Sequence, residues 1–121
     1  MADFMMAMLV CRDLTRSKGF YRDIVGLTMV TDATPHWVDF DLGAGRRLGL
    51  HPATENQLIV PGSLQLTFAV MNVDSMVSDA RTAGWQIFQD PFNDQFGRVA
   101  VIADPDGYPV QIATPKKRTP R

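Results

Sequence analysis

The sequence has little of three features that mark particular classes of protein: cysteine, net charge and long apolar runs. Its 121 residues include a single cysteine, Cys11, so no intrachain disulfide can form and a reducing, intracellular compartment is favoured. A formal net charge of −1 gives no electrostatic basis for binding nucleic acid. No apolar stretch approaches the ~20 residues that cross a bilayer, and the N-terminus lacks the basic and apolar regions of a signal peptide. These absences predict a cytoplasmic protein with neither nucleic-acid nor membrane partners.

The length and the apolar fraction, by contrast, are those of one folded domain. Apolar residues make up 45% of the 121 residues, which are enough for a real core but too few for two independent domains. Cys11 lies in an apolar segment, where we expect a buried small hydrophobe rather than a reactive thiol. The one basic run, Lys116-Lys117-Arg118, lies in the tail 115–121. We interpret this tail as a solvated chain end, with a phosphate-binding arm as the alternative.

An internal repeat organises the chain. Gly26 stands 58 residues before Gly84, and Leu50 stands 62 residues before Ile112. Each copy contains an apolar strand, a polar cap, an amphipathic helix that ends at a glycine, and three further strands. A duplicated unit of this size implies two similar halves with a binding site built between them.

The helix in each copy is indicated by apolar residues at three- and four-residue spacing. In the first copy Asp13 or Thr15 can cap the helix, and Gly26 suits the left-handed conformation that ends it. The stripes comprise Ser17, Phe20, Tyr21, Ile24 and Val25 in the first copy and Val73, Met76, Val77, Ala80 and Ala83 in the second. We therefore expect one helix that continues to Gly26 and a second that ends at Gly84.

After each helix the apolar spacing changes to two, which indicates strands. Apolar residues alternate with carboxylates in Val38–Leu42, and Asp104-Pro105-Asp106-Gly107 has the proline and glycine of a type I turn. The sequence thus predicts an α+β fold of two βαβββ modules: module one at about 4–51, a linker at about 52–63, module two at about 64–114 and the tail. Alternation places these residues on the helix-covered side: Val38, Phe40, Leu42, Leu48, Leu50, Leu66, Phe68, Val70, Val110 and Ile112.

The order of these motifs resembles the vicinal oxygen chelate (VOC) superfamily of glyoxalases, bleomycin resistance proteins and dioxygenases. The residues that carry the resemblance are Asp13-Leu14-x-x-Ser17-x-x-Phe20-Tyr21, Val25-Gly26-Leu27, Phe68-x-Val70 and Asp104-Pro105-Asp106-Gly107, and they span almost the whole chain. The resemblance implies a single VOC domain over residues 1–121, in which two modules form an incomplete barrel around a cleft. It also implies a homodimer, in some members with exchanged modules or strands.

In metal-using members of this superfamily, four inward strand positions supply the ligands. By the resemblance, those positions are Met6, Gly49, Gln65 and Gln111 in this chain. A thioether, a missing side chain and two neutral amides offer no imidazole and no carboxylate, which transition metals require in such sites. We therefore expect no metal and no cofactor, which moves the resemblance toward the metal-free, bleomycin-resistance-like branch.

Strand parity assigns further residues to the cleft, where apolar walls with a few polar groups are typical of small-molecule sites. The candidate cleft residues are Met6, Met8, Trp37, Asp39, Arg47, His51, Gln65, Thr67, Phe92, Phe96, Val101 and Gln111. The two methionines could adapt to an irregular ligand, although core filling is their usual role. Phe92 and Phe96 belong to the segment 92–98, which we expect to be a loop that could close over the cleft or simply pack.

The polar and aromatic candidates each allow two interpretations. Asp39 and Asp41 either solvate an open sheet face or pair with Arg47 or a cationic ligand. Arg47 either forms a surface ion pair or holds a ligand carboxylate or phosphate. His51 is either a proton-transfer residue or a residue of the rim. Trp37 either stacks on a planar ligand or lies at a dimer seam.

Two functions have support in these features, whereas a third, a structural or regulatory dimer with a vestigial cleft, has no positive support in the chain. The first is a metal-independent protein that binds and sequesters a small, partly planar antibiotic or metabolite. The alternative is a superfamily enzyme, of lyase, isomerase or oxygenase type, that uses non-standard cleft residues or ligands. The sequence contains no recognisable nucleophile–base pair, so whether the protein is an enzyme stays open.

Overall fold

The structure, a computed structural model, describes residues 1–55, 57–95 and 97–116. Two α-helices and eight strands follow each other in the order βαβββ, twice. Their bounds are β1 Met6–Cys11, α1 Leu14–Gly19, β2 Met29–Ala33, β3 Trp37–Asp41, β4 Arg47–Pro52, β5 Leu66–Ala69, α2 Val73–Thr82, β6 Ile87–Asn93, β7 Gly97–Ala103 and β8 Pro109–Pro115. The predicted α+β fold of two similar modules is confirmed. The candidate residue Phe96 and most of the basic tail lie outside the described residues.

The two modules form separate sheets with the same topology. The strand order is β1-β4-β3-β2 in the first sheet and β5-β8-β7-β6 in the second. In each sheet the first strand pairs in parallel with the last, and the remaining pairs are antiparallel. The chain divides into two compact units, Met1–Ile59 and Val60–Arg121, so that the division falls within the segment predicted as a linker.

Both helices begin at a side-chain cap. The Asp13 carboxylate accepts a hydrogen bond from the backbone N–H of Arg16 at 3.1 Å, so Asp13 rather than Thr15 caps α1. Asn72 accepts from the N–H of Ser75 at 2.9 Å at the start of α2. In the described ranges, neither helix is long and apolar enough to cross a membrane.

The chain is helical up to Gly26 as predicted, but not as one α-helix, because α1 ends at Gly19 and a π-helical turn, Phe20–Val25, follows it. Phe20 and Tyr21 are consecutive and both are fully buried, with ring centroids 5.0 Å apart in an edge-to-face arrangement. The two adjacent aromatic side chains are therefore both part of the core at the π-helical turn. Gly26 then ends the turn with a φ of 83°, as predicted.

The core of each unit lies between its helix and its sheet. Val38, Phe40, Leu48 and Leu50 are fully buried in the first unit, where the Tyr21 ring lies 6.3 Å from that of Phe40. In the second unit the fully buried strand residues are Ala100, Ile102, Val110 and Ile112, and α2 contributes Val73, Val77 and Ala80. The predicted helix-covered side is right for these strand residues. Leu42, Leu66, Phe68 and Val70 are only half-buried, since they stand at strand ends or on the edge strand β5.

Four residues of the expected loop lie in strands instead. Phe92 and Asn93 belong to β6, Gly97 and Arg98 belong to β7, and Phe92 is the cross-strand partner of Val99. Between these strands the Asp94 side chain accepts a hydrogen bond from the N–H of Gly97 at 3.0 Å. Phe92 is therefore fixed by strand pairing. The predicted turn at Asp104–Gly107 is present, with a 3.0 Å hydrogen bond from Gly107 N–H to the Asp104 carbonyl.

Candidate functional site

The face of the first sheet that is turned away from α1 carries six of the twelve predicted site residues. Cross-strand partners share a face of a sheet, and the register pairs Met8 and Asp39 with Gly49, Met6 and Asp41 with Arg47, and Val10 with His51. Trp37 belongs to the same face because it stands two residues before Asp39 in β3. We call this surface, comprising Met6, Met8, Trp37, Asp39, Arg47, Gly49 and His51, the tryptophan face.

The indole of Trp37 lies over Gly49. A Cβ atom on Gly49 would overlap the Trp37 Cη2 atom, and it would lie 2.7 Å from Cζ2 and 3.2 Å from the Met6 sulfur. Glycine inside a strand often marks a place where another group approaches the backbone closely. Here that group is an aromatic ring, so the missing side chain makes the space that Trp37 fills.

Asp39 holds the indole in this position. Its Oδ2 atom accepts a 2.8 Å hydrogen bond from the Trp37 Nε1–H. Only 8% of Asp39 is exposed, which contradicts the interpretation that this carboxylate solvates an open sheet face. Its other oxygen, Oδ1, is buried and has no hydrogen-bond partner among the described residues. A buried carboxylate oxygen without a donor is energetically costly.

Arg47 lies near two carboxylates but donates a hydrogen bond to neither. Its Nε lies 3.9 Å from Asp39 Oδ1 and its Nη1 lies 3.6 Å from Asp41 Oδ1, both beyond hydrogen-bond distance. Nη1 donates instead to the carbonyl of Arg46 at 3.2 Å. The guanidinium is therefore not placed in a fork for a ligand anion, because two carboxylates already face it.

One ring nitrogen of His51 contacts the backbone of the next residue. Its Nδ1 lies 2.7 Å from the carbonyl oxygen of Pro52, and since a carbonyl only accepts, Nδ1 carries the hydrogen. In the neutral imidazole Nε2 then holds the lone pair. The ring centroids of His51 and Trp37 are 6.3 Å apart, so both rings lie on the same part of the tryptophan face.

The corresponding face of the second sheet carries a cluster of two glutamine side chains and one threonine side chain. Gln111 Oε1 accepts hydrogen bonds from Gln65 Nε2 at 3.2 Å and from Thr67 Oγ1 at 3.0 Å. Val101 pairs with Gln111 in the register and is half-buried beside this cluster, and Phe92 is 42% exposed on β6. The two faces thus differ in chemistry although their strands correspond.

The residues at the four positions that the resemblance assigns to metal ligands do not fit a transition metal. Gly49 has no donor atom, and Trp37 fills the space in which a ligating side chain would stand. The amide oxygen of Gln111 already accepts two hydrogen bonds. Within residues 1–55, 57–95 and 97–116, no three His, Cys, Asp or Glu side chains are grouped so that they could hold a metal ion. No catalytic step through a metal follows from this donor set.

A groove of about 360 Å³ lies elsewhere, on the helix side of the second sheet. Its lining includes Asp74, Arg81 and Pro91. Its charges are neutralised within the protein, because Asp74 pairs with Arg98 at 2.8 Å and Arg81 pairs with Asp90. The groove contains none of the predicted site residues, and its paired charges give it no recognition group of its own.

The structure brings together the predicted residues of each sheet as parity required. What sequence reasoning missed is the direct contact of Trp37 with Gly49 and with Asp39. One signal was present, since residues 37 and 39 are two apart on a strand and share a face, opposite a glycine. Asp41 lies on the same face, and its carboxylate is 3.6 Å from Arg47 Nη1, the pairing that one of the two interpretations of these carboxylates offered.

The family comparison places the chain by its sequence. The model of the Glyoxalase/Bleomycin resistance protein/Dioxygenase superfamily matches residues 4–112. No curated protein matches the chain.

Solved structures share its fold over nearly the whole length. TnmS3, an antibiotic binding protein from Streptomyces sp. CB03234, is 25% identical, with 96% of this chain and 98% of that chain covered and a TM-score of 0.75. A glyoxalase-related enzyme from Fulvimarina pelagi is 22% identical over 94% of this chain and 88% of that chain, with a TM-score of 0.80. A lactoylglutathione lyase from Agrobacterium tumefaciens is 21% identical, covers 94% of both chains and has a TM-score of 0.70. The last two similarities show the fold alone.

Proposed function

This chain belongs to the Glyoxalase/Bleomycin resistance protein/Dioxygenase superfamily, and we propose that it binds and sequesters a small, partly planar molecule without a metal. The observation that carries the proposal is the position of Trp37, whose ring replaces a side chain at Gly49. Where metal-using relatives have a ligand, this chain has an aromatic surface. Flat molecules stack on such surfaces.

The surroundings of Trp37 support a binding role. Met6 packs at the same spot as the indole, and Met8 is 42% exposed on the same face. Methionine side chains adapt to irregular ligands, and exposed apolar side chains next to a few polar groups are typical of small-molecule sites. The similarity to TnmS3, an antibiotic binding protein, favours an antibiotic or a related aromatic metabolite as the ligand.

A thermal-shift screen of aromatic antibiotics and metabolites, run in excess EDTA, tests this proposal. We expect at least one class of planar compound to raise the melting temperature of the wild-type protein. The same compounds should give no shift with Trp37→Ala, because the stacking surface is removed. Phe88→Ala is the matched control, since Phe88 is an exposed aromatic residue of the other unit. An absence of binders in EDTA, or equal shifts in both variants, would refute the proposal.

The alternative, a superfamily lyase, isomerase or oxygenase, has one observation in its favour. The hydrogen bond from His51 to Pro52 leaves Nε2 as a free acceptor on the tryptophan face, as a general base requires. The hemithioacetal of methylglyoxal and glutathione, offered with and without Zn²⁺ or Ni²⁺, is a direct probe of lyase or isomerase chemistry. Turnover that disappears in His51→Gln would establish this alternative, whereas we expect no turnover.

We also propose that the protein is a homodimer in the cytoplasm, in which modules or strands are exchanged between subunits or each subunit keeps its own. The family resemblance supports the dimer, and the single, fully buried Cys11 is compatible with a reducing compartment. Size-exclusion chromatography with light scattering should give twice the monomer mass. A monomer over the accessible concentration range would contradict the dimer.

A further inference from the structure

We propose that Asp39 is the recognition group of the tryptophan face and that it selects a flat aromatic ligand bearing a cationic N–H group. This inference rests on the proposed binding function and adds the charge and the donor chemistry of the ligand. It follows from three observations: the buried, unpartnered oxygen of Asp39, the loose contacts of Arg47, and the adjoining indole.

The first observation concerns the two oxygens of the Asp39 carboxylate, which differ in their contacts. Oδ2 receives the 2.8 Å hydrogen bond from Trp37, whereas Oδ1 receives none in the described part of the chain. A residue that is 8% exposed gains little from water. A carboxylate in this state binds a strong donor more tightly than an exposed carboxylate does, because its desolvation has already occurred in the free protein.

The second observation concerns charge. Asp39, Asp41 and Arg47 together carry one net negative charge, and His51 in its neutral form adds none. An anionic ligand would therefore be repelled, and a neutral ligand would leave this charge unbalanced. A cation is the complement of the face.

The third observation is that Arg47 is held weakly enough for a ligand to displace it from Asp39. Its side chain is 30% exposed, and its contacts with the two carboxylates, at 3.9 and 3.6 Å, are too long for hydrogen bonds. A ligand N–H that displaces the guanidinium can reach Oδ1, and the outward movement of Arg47 uncovers an atom that is otherwise buried. The ligand ring then lies beside Trp37, where a cation is further stabilised by the indole.

Two probes with one ring system separate charge from stacking. 9-Aminoacridine is a cation with N–H donors at neutral pH, and acridine is neutral with no donor. We expect the wild-type protein to bind 9-aminoacridine at least about tenfold more tightly than acridine in titration calorimetry, a difference of about 1.4 kcal/mol. Equal affinities would refute the selection of a cation while leaving the stacking function intact. Failure of both probes to bind would refute both proposals.

Asp39→Asn and Asp41→Asn form a matched pair of variants. Each removes one carboxylate from the same strand and the same face, but only Asp39 is buried with an unpartnered oxygen. Asp39→Asn should weaken 9-aminoacridine about tenfold or more and change acridine less than about threefold. Asp41→Asn should weaken 9-aminoacridine less than about threefold. Equal losses in the two variants would show that only the overall charge matters.

Arg47→Met gives a readout that does not depend on the folding of Asp39→Asn. Removal of the guanidinium leaves Asp39 without a competing cation, so 9-aminoacridine should bind several-fold more tightly than to the wild type. The thermal stabilisation by 9-aminoacridine should also increase. If Arg47 held the ligand itself, this variant would bind more weakly, and that result would overturn the inference.

Discussion

At Gly49 the lack of a side chain determines what the neighbouring strand can carry. The repeat predicts the position of this residue on the inward face, and the resemblance predicts that it stands where a ligand would be. Neither predicts that Trp37 fills the space, since a contact between side chains of two strands depends on rotamers and not on strand parity. The identity of the residues was therefore readable from the sequence, and their packing was not.

Gly49→Ala tests this packing. The added Cβ overlaps the Trp37 ring, so we expect the indole to be displaced and its hydrogen bond to Asp39 to break. Overpacking of this kind costs about 1–3 kcal/mol of unfolding free energy. Urea unfolding measures the loss, and near-UV circular dichroism reports the changed environment of the tryptophan.

Gly19→Ala is the control for the glycine substitution. Gly19 has a helical φ of −60° and open space around its Cβ position. Alanine there should leave stability unchanged or raise it by up to about 1 kcal/mol. If both substitutions changed the free energy of unfolding equally, the contact between Gly49 and Trp37 would make no specific contribution to stability.

Among the elements, the helices and the strands β6 and β7 show which structural features local sequence patterns predict and which they do not. The caps of both helices follow from local chemistry, because a polar side chain at the first turn satisfies free N–H groups. The π-helical turn does not follow from local chemistry, since the apolar spacing of this segment fits an α-helix as well. Likewise local polarity predicts a loop at Phe92, whereas Phe92 pairs with Val99 between two strands.

The two caps make a paired prediction. Asp13→Ala and Asn72→Ala each remove the acceptor of a backbone N–H at a helix start. Each should lower the free energy of unfolding by about 1 kcal/mol, measured by urea denaturation. Asp13→Asn should retain most of the stability, because asparagine caps about as well. A loss in Asp13→Asn as large as in Asp13→Ala would mean that capping is not the cause.

On the scale of the whole molecule, the repeat predicts more about architecture than about chemistry. Both sheets have the same strand order, as a duplicated βαβββ unit requires. Their faces have diverged, since Trp37, Asp39 and Arg47 lie on one and the amides of Gln65 and Gln111 on the other. The backbone pattern fixes the order of the strands, whereas the side chains determine which face can recognise a ligand.

The free energy of unfolding should decrease in acid because several exposed carboxylates have a lowered pKa in the folded protein, Asp74 and Asp32 among them. A hydrogen bond from Arg98 lowers the pKa of Asp74, and a hydrogen bond from the Thr34 hydroxyl, with further donors, lowers the pKa of Asp32. Because each folded pKa is below the ordinary value of about 3.9, the stabilisation is present above that pH and is lost as the pH falls through the folded pKa. The urea midpoint of the wild type should therefore decrease between about pH 5 and about pH 3.

Asp74→Asn should reduce the part of this decrease that depends on Asp74, and added salt should reduce it further. Asp79→Asn is the control, because it removes another exposed carboxylate from α2. The decrease of its urea midpoint with falling pH should be close to that of the wild type. If the urea midpoint of Asp74→Asn decreased with pH as much as that of the wild type, the acid sensitivity would be due to other groups.

Titration of 9-aminoacridine into the wild-type protein, first in excess EDTA and then with added Zn²⁺, tests metal-independent binding on the tryptophan face most directly. We predict one saturable site per chain with the same Kd in both conditions, because Trp37 and Asp39 bind the probe without a metal. Binding that appears only when Zn²⁺ is present would contradict this account.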